Sequence, residues 1–309
     1  MITVSVIIPS YNHAKYIEET LFSCLDQDYK GFIEIIIVDD NSTDNTKDIL
    51  SLLDFSSYVS RSVSVIYKEK NQGLNDSIDI GLSVAKGKYI QILASDDVLC
   101  LDKISKQVVF LEKYNCDCVY SRGFLYSDGI CEEYYLNSFN KMYLLGRGLE
   151  FVSTKDWGGP LTQSGLFKRE LLLELKDIRS DYKSDDWAML ITIFKKYSPG
   201  YYDEPLFLYR QHNDNSYTKY WQTFPMRIDV ASRLVDEKYR LQSISNILLS
   251  HADYLLSDKE KVNSFKFLAA SSILSLNSLS MRARVILKGF LPNKIWLSII
   301  DLKKSYKDK

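Results

Sequence analysis

Apolar residues in the first hundred positions fall into short dense runs separated by polar clusters. Val4-Ser5-Val6-Ile7-Ile8, Ile33 to Val38, Ser62 to Tyr67 and Tyr89 to Leu93 are short, strand-length runs. They read as strands buried on both faces, the pattern of a parallel sheet. Between them the spacing becomes helical. Ile17, Leu21, Cys24 and Leu25 share a face within the stretch from Ala14 to Gln27. Asp44 stands as N-cap before Ile49, Leu52 and Leu53, and Leu74 to Ala85 forms a further helix. Strands alternating with helices predict an α/β fold with a mostly parallel sheet flanked by helices. In such sheets ligands bind beyond the carboxyl ends of the strands.

From Asp117 the pattern is mixed: Val119 to Tyr126 and Tyr201 to Tyr209 read as strands, and Trp187 to Tyr197 as a helix. Beyond Tyr217 helical periodicity is nearly continuous through Asn277, with a last segment from Pro292 to Ser305. A boundary near Thr218 therefore separates an α/β domain over 1–217 from a helical C-terminal region over 218–309.

Composition narrows the class. Hydrophobic residues make up 46% and charged residues 26% of the 309 positions, ordinary for a well-packed soluble chain. With 39 basic and 40 acidic side chains the net charge is −1, so no global field favours nucleic acid. The charge is unevenly spread. From Arg282 onward eight Lys/Arg stand against two acids, a net of +6, which leaves −7 for the remainder. The same stretch interleaves Ile286, Leu287, Phe290, Leu291, Ile295, Trp296, Ile299 and Ile300 with its basic residues. Two readings stand side by side: a helix lying on an anionic membrane surface, or a helix packed on the catalytic domain with a solvated basic face. The five cysteines lack zinc-ligand spacing and read as reduced thiols. The chain enters a strand pattern at once, without a signal-peptide profile, and holds no apolar run of spanning length. A cytoplasmic location is expected, with peripheral attachment to the inner face of the plasma membrane as an option. Nothing in the sequence fixes the oligomeric state.

Candidate chemistry sits at the strand ends. Ser10-Tyr11-Asn12, Asp39 to Asp44 and Ser95-Asp96-Asp97 each follow an apolar run. Adjacent carboxylates repel unless a positive group lies between or beyond them. Asp96 and Asp97 alone fit a solvated turn equally well, and Asp44 and Ser42 fit helix capping. Two acidic pairs on neighbouring strand ends are a different matter, because that concentration of charge calls for a cation or for hydrogen-bond donors. Mg²⁺ or Mn²⁺ suits such oxygen ligands and commonly bridges to a diphosphate.

Four segments in order, VSVIIPSYN (Val4 to Asn12), IIIVDDNSTDNT (Ile35 to Thr46), KNQGLNDSIDIGLSVAKGKYIQILASDD (Lys70 to Asp97) and YKSDDWAML (Tyr182 to Leu190), resemble family 2 glycosyltransferases with the GT-A fold. The resemblance covers roughly residues 1 to 217. It implies an inverting, metal-dependent enzyme of bacterial cell-surface polysaccharide synthesis. The donor would be a nucleotide-sugar, with a UDP-sugar favoured, and the acceptor a saccharide or lipid-linked saccharide. Carried over by position, base binding falls on Pro9, Tyr11 and Asp40, the nucleotide-side turn on Asn71 and Gly73, the donor ribose on Asp96 and the metal on Asp97. Ala94 departs from the family's D-x-D at its first acid. The general base falls on Asp186, with Asp185 as neighbour, while both acids also suit the start of a helix. EPLFLYRQHNDNS (Glu204 to Ser216) resembles the loop that ends the family's domain. There His212 is a metal-ligand candidate and Arg210 a structural partner. Trp157 lies where family members build the acceptor pocket, and stacking on a sugar or filling the core fits it equally. Two further classes remain open. A sugar nucleotidyltransferase would need a Gly-rich phosphate loop with a basic residue near the N-terminus, which is missing. Against a non-catalytic nucleotide-sugar-binding or scaffold protein stand the retained Asp97 and Asp186, while Ala94 favours it.

Overall fold

The computed structural model describes residues 3–127, 130–134, 137–154, 159–182, 186–212, 220–257 and 261–274. The basic amphipathic stretch from Met281 lies outside them. The strands are β1 (Val4–Ser10), β2 (Ile33–Asp39), β3 (Arg61–Tyr67), β4 (Tyr89–Ile92), β5 (Val98–Leu99), β6 (Cys118–Ser127), β7 (Ile130–Tyr134), β8 (Leu166–Lys168) and β9 (Pro199–Arg210). The helices are α1 (Ile17–Leu25), α2 (Thr46–Leu52), α3 (Leu74–Val84), α4 (Lys103–Tyr114), α5 (Asn137–Leu144), α6 (Gly148–Thr154), α7 (Arg169–Glu174), α8 (Lys176–Asp181), α9 (Asp186–Lys196), α10 (Tyr220–Arg233), α11 (Glu237–Ser257) and α12 (Lys261–Leu274). They divide into two compact units, Met1–Phe151 with Gly158–Thr218, and Val152–Trp157 with Lys219–Lys309.

The first unit is built on one mixed sheet of order β3-β2-β1-β4-β8-β6-β9-β5, with β7 on β6. The long pairings β3-β2-β1-β4 and β6-β9 are parallel; β8, β5 and β7 pair antiparallel. Every residue of β1 is buried, as expected for a strand with partners on both edges and helices on both faces. β3 differs from the expectation of two-sided burial. It alternates between half-buried and exposed positions because it forms the sheet's edge, paired on one side only. Helix α3 comes close to β1 through Gly81: a Cβ there would lie 2.5 Å from Ile7 Cγ2.

Helix α4 is not foreshadowed by the strand-and-helix alternation, and it brings in a wholly buried lysine. Lys103 Nζ donates to Gln91 Oε1 (2.7 Å), to Gln107 Oε1 and to the Ser164 carbonyl (3.2 Å). Burial pushes its pKa down to about 7, yet three acceptors match the three protons of the ammonium form. Gln107 Nε2 also donates to the Ser164 carbonyl (2.8 Å), and Gln91 Nε2 to the Gln163 carbonyl (2.9 Å). This polar knot therefore sits under the 3₁₀ turn Thr162–Ser164.

The second unit is helical. α11 and α12 pack through Leu249, Ala252, Leu256 and Leu268, with Phe265 and Phe267 against them. Ser245 Oγ donates to the Ser271 carbonyl at 3.0 Å, and Asn246 to the Thr154 carbonyl at the end of α6. The His251 ring stacks on Phe224 at 4.0 Å. No helix among the described residues is long and apolar enough to cross a membrane.

Close packing of α3 on β1 makes Gly81 intolerant of bulk. Gly81→Val should cost about 2 kcal/mol, read as a lower denaturant midpoint by circular dichroism. An unchanged midpoint would contradict the tight contact with Ile7.

Candidate active site

Because β2, β1 and β4 lie side by side and parallel, their carboxyl ends share one edge of the sheet. The loops leaving β1 and β2 are interlocked there. Asn12 (φ 55°) accepts the Thr43 N–H at 2.7 Å through its side chain, and its own N–H donates to Ser42 Oγ at 2.9 Å. His13 N–H donates to Thr46 Oγ1 (3.1 Å) and Ala14 N–H to Asp44 Oδ2 (3.0 Å). Asp44 also accepts the Thr46 N–H (3.0 Å), so it serves the start of α2 from one place outside the N-cap position, which Asn45 holds.

The expected base-binding residues fall along this edge. Pro9 is buried within β1, while the Tyr11 ring is 43% exposed and so presents a face. Asp40 is buried and heavily engaged. Its two oxygens accept the N–H groups of Gln72 (2.8 Å) and Gly73 (2.7 Å), and Lys68 Nζ pairs with it at 2.6 Å. Lys68 pairs with Asp76 at 2.6 Å as well. Burial alone would lower the Lys68 pKa; the bonds to Asp40 and Asp76 outweigh it and raise it. Asp40 thus builds the Asn71–Gly73 turn, where Gly73 has φ 92° and a side chain would be strained. Next to it, the register neighbours Ser10 and Asp39 each keep a buried oxygen without a hydrogen-bond partner among the described residues. Atoms in that condition commonly meet a ligand.

Past β4 the acidic pair divides. Asp97 is fully buried, and its Oδ1 accepts the backbone N–H of Arg210 at 2.9 Å. Burial and the Asp96 charge push the Asp97 carboxyl well above the usual carboxylate range, while the Arg210 N–H and charge and the Gln163 side chain pull the other way. Arg210 also donates through Nε to the Asp96 carbonyl (2.9 Å) and through its fork to Glu19. Its guanidinium lies over Tyr16, 5.0 Å from the ring centroid. Asp96 turns instead to the imidazoles. His212 Nε2 is 2.9 Å from Asp96 Oδ2, and the ligand atoms of His13, Asp96 and His212 all lie within 4.8 Å of one another. His13 Nδ1 is held at 2.7 Å from Ser95 Oγ, and the His212 ring stacks on Tyr16 at 5.0 Å. The geometry therefore joins His212 to Asp96, the residue expected on the ribose, and not to Asp97, the one expected on the metal.

His13 is the member that sequence reasoning passed over. Its only advance signal is its place three residues beyond the end of β1, and its convergence with residues 96 and 212 depends on the tertiary fold. Asp186 is exposed at the first residue of α9, where one oxygen accepts the Thr162 hydroxyl at 2.7 Å. A small cleft beside it is lined by Asn75, Thr162, Arg179, Tyr182 and Met189. Trp157 and Asp185 lie outside the described residues.

The sequence pattern of glycosyl transferase family 2 matches residues 5–175. The chain belongs to that family. TuaG of Bacillus subtilis, a glycosyltransferase assigned to teichuronic acid biosynthesis, is 42% identical over 113 residues, 37% of this chain and 43% of its own length. The Escherichia coli enzyme WfaP, a UDP-Glc:alpha-D-GlcNAc-diphosphoundecaprenol beta-1,3-glucosyltransferase, is 38% identical over 125 residues, 40% of this chain and 47% of its own. The chain thus spans less than half of these relatives. Among solved structures, Staphylococcus aureus TarS 1–349 in complex with UDP-GlcNAc gives a TM-score of 0.62 at 17% identity, covering 93% of this chain and 87% of that one. The mannosyltransferase PcManGT of Pyrobaculum calidifontis, in complex with GDP-Man and Mn²⁺, gives 0.60 at 18%, covering 96% and 83%. At these identities the likeness is one of fold.

Since Asp40 both pairs with a buried lysine and closes the Asn71–Gly73 turn, its loss should be structural first. Asp40→Asn should cost about 3 kcal/mol, seen as a fall in melting temperature without any nucleotide present. A melting temperature equal to wild type would leave Asp40 a ligand contact only.

Proposed function

We propose that the chain is an inverting glycosyltransferase. It would move a sugar from a nucleotide-sugar, a UDP-sugar in first place, to a saccharide or lipid-linked saccharide during cell-surface polysaccharide synthesis. The observation that carries this is the convergence of His13, Asp96 and His212, from three distant parts of the chain, at the sheet edge that also bears Asp40 and Tyr11. Family membership and the UDP-GlcNAc and GDP-Man complexes of the structural neighbours support a nucleotide-sugar donor. The named activity of WfaP supports a lipid-linked acceptor.

The donor set fits a divalent ion. Two imidazoles and a carboxylate suit Mn²⁺ better than Mg²⁺, which prefers oxygen, and the Mn²⁺ complex of PcManGT supports that choice. Asp96 and His212, with His13, would hold it. Asp97, the ligand expected from the motif, brings one oxygen without a partner among the described residues, while its other accepts the Arg210 N–H. When bound, such an ion neutralises charge that develops on the leaving diphosphate. The exposed Tyr11 ring offers a stacking surface to the base, and the unpartnered oxygens of Ser10 and Asp39 offer it polar contacts. Asp186 takes the proton of the acceptor hydroxyl, on the side of the sugar opposite the leaving group. A carboxylate is an adequate base when the leaving group is a diphosphate.

Nucleotide release from a panel of UDP-, GDP- and dTDP-sugars, with Mn²⁺ and with EDTA, tests the reading. One UDP-sugar should be turned over with Mn²⁺ and not with EDTA; silence across the panel would sink it. Asp186→Asn should retain donor binding and lose at least about 100-fold in rate, and an unimpaired rate would remove Asp186 from the base role. For the metal, His13→Ala should weaken Mn²⁺ binding about tenfold or more, measured by titration calorimetry without donor. Equal affinity would take His13 out of the set.

A further inference from the structure

We infer that the turn Thr162–Ser164 is the positioning element of the reaction, with Thr162 holding the Asp186 carboxylate in its working orientation. The inference rests on Asp186 being the base and says what makes it effective. A carboxylate at the exposed start of a helix has rotamer freedom that catalysis must remove. Here the Thr162 hydroxyl, itself buried, donates to Asp186 Oδ2 at 2.7 Å. Threonine is stiff about χ1 and so transmits the position of its backbone faithfully.

That backbone is unusually constrained. Gln91 donates to the Gln163 carbonyl, and both Lys103 and Gln107 donate to the Ser164 carbonyl. Ser164 Oγ closes the turn by donating to the Leu161 carbonyl at 2.6 Å. An ammonium buried to this degree is costly, and an apolar residue would join α4 to the sheet with less penalty. What Lys103 adds is a fixed direction for a carbonyl of this turn. The same three residues are also tied to the strand that carries the second acidic pair, because Gln91, which donates to the Gln163 carbonyl, lies on β4. One short rigid piece thereby sets the base in relation to the acids after β4, and such separations govern near-attack geometry.

The test is UDP release from UDP-glucose and UDP-N-acetylglucosamine with Mn²⁺, by wild type, Thr162→Val, Thr162→Ser and Asp186→Asn. Thr162→Val keeps the shape and removes the donor. It should lower kcat about 10- to 100-fold with the donor KM within about twofold, while Thr162→Ser restores most of the rate. In a crystal structure of Thr162→Val the Asp186 carboxylate should leave its wild-type rotamer. A wild-type kcat in Thr162→Val, or a carboxylate that stays in place, overturns the inference. So does a loss of kcat that follows a loss of melting temperature and that serine fails to repair. A wild-type rate in Asp186→Asn is a separate failure, since it overturns the base assignment beneath.

Discussion

Four carboxylates almost wholly out of water set the terms for everything around them. Asp39, Asp40, Asp96 and Asp97 are each no more than 6% exposed, at the ends of two strands that flank β1. Charge removed from water has to be met by opposite charge, by donors or by a proton. Each acid finds a different answer. Lys68 and two backbone amides meet Asp40, and the Ser42 N–H meets Asp39 at 3.0 Å. The Arg210 N–H meets Asp97, and His212 meets Asp96. The loops that line the sheet edge are folded as they are because they deliver these partners.

The partners separate support from chemistry. Asp40 spends both oxygens on two backbone amides and Lys68, which makes it the builder of the Asn71–Gly73 turn. Asp97 gives one oxygen to the Arg210 N–H and keeps the other, buried, without a hydrogen-bond partner among the described residues. Asp96 and His212 meet through their side chains, and a third side chain, His13, stands in range. Groups that face one another in this way can exchange their mutual contact for a shared ion. Asp40, with both oxygens on amides, cannot do so without unfolding a loop. The acidic motifs of the chain are thus not four versions of one function.

Much of this was readable in advance, and the rest was hidden for identifiable reasons. β1, β2 and β4 are short, largely apolar runs whose type and order follow from composition and period alone, and the acids after β2 and β4 follow with them. Strands β5 and β8 have two and three residues, too few for any period to register, although β8 joins the two halves of the sheet. Helix α4 carries Ile104, Val108 and Leu111 at helical spacing, but Lys103 and Gln107 share the buried side and blur its amphipathic stripe. The expectation of Asp97 on the metal rests on resemblance to a motif, and motif spacing says nothing of the tertiary contact that brings His212 to Asp96. His13 and Thr162 are ordinary residue types whose meaning comes only from what the fold brings to them.

Strand β5, only two residues long, directly follows Asp97 and pairs with β9 at Leu208 and Phe207. The contacts that settle the acids reach 113 residues along the chain to Arg210 and 116 to His212. Bringing such distant segments together carries a loop-closure cost of about 4 kcal/mol beyond its constant part, which only a completed β9 can offset. During synthesis the acids therefore emerge long before their partners. A chain halted or clipped ahead of Pro199 keeps β1 to β4 but lacks the imidazole of residue 212 and the arginine anchor. Order of synthesis thus withholds the cluster of His13, Asp96 and His212 until nearly the whole α/β unit has emerged.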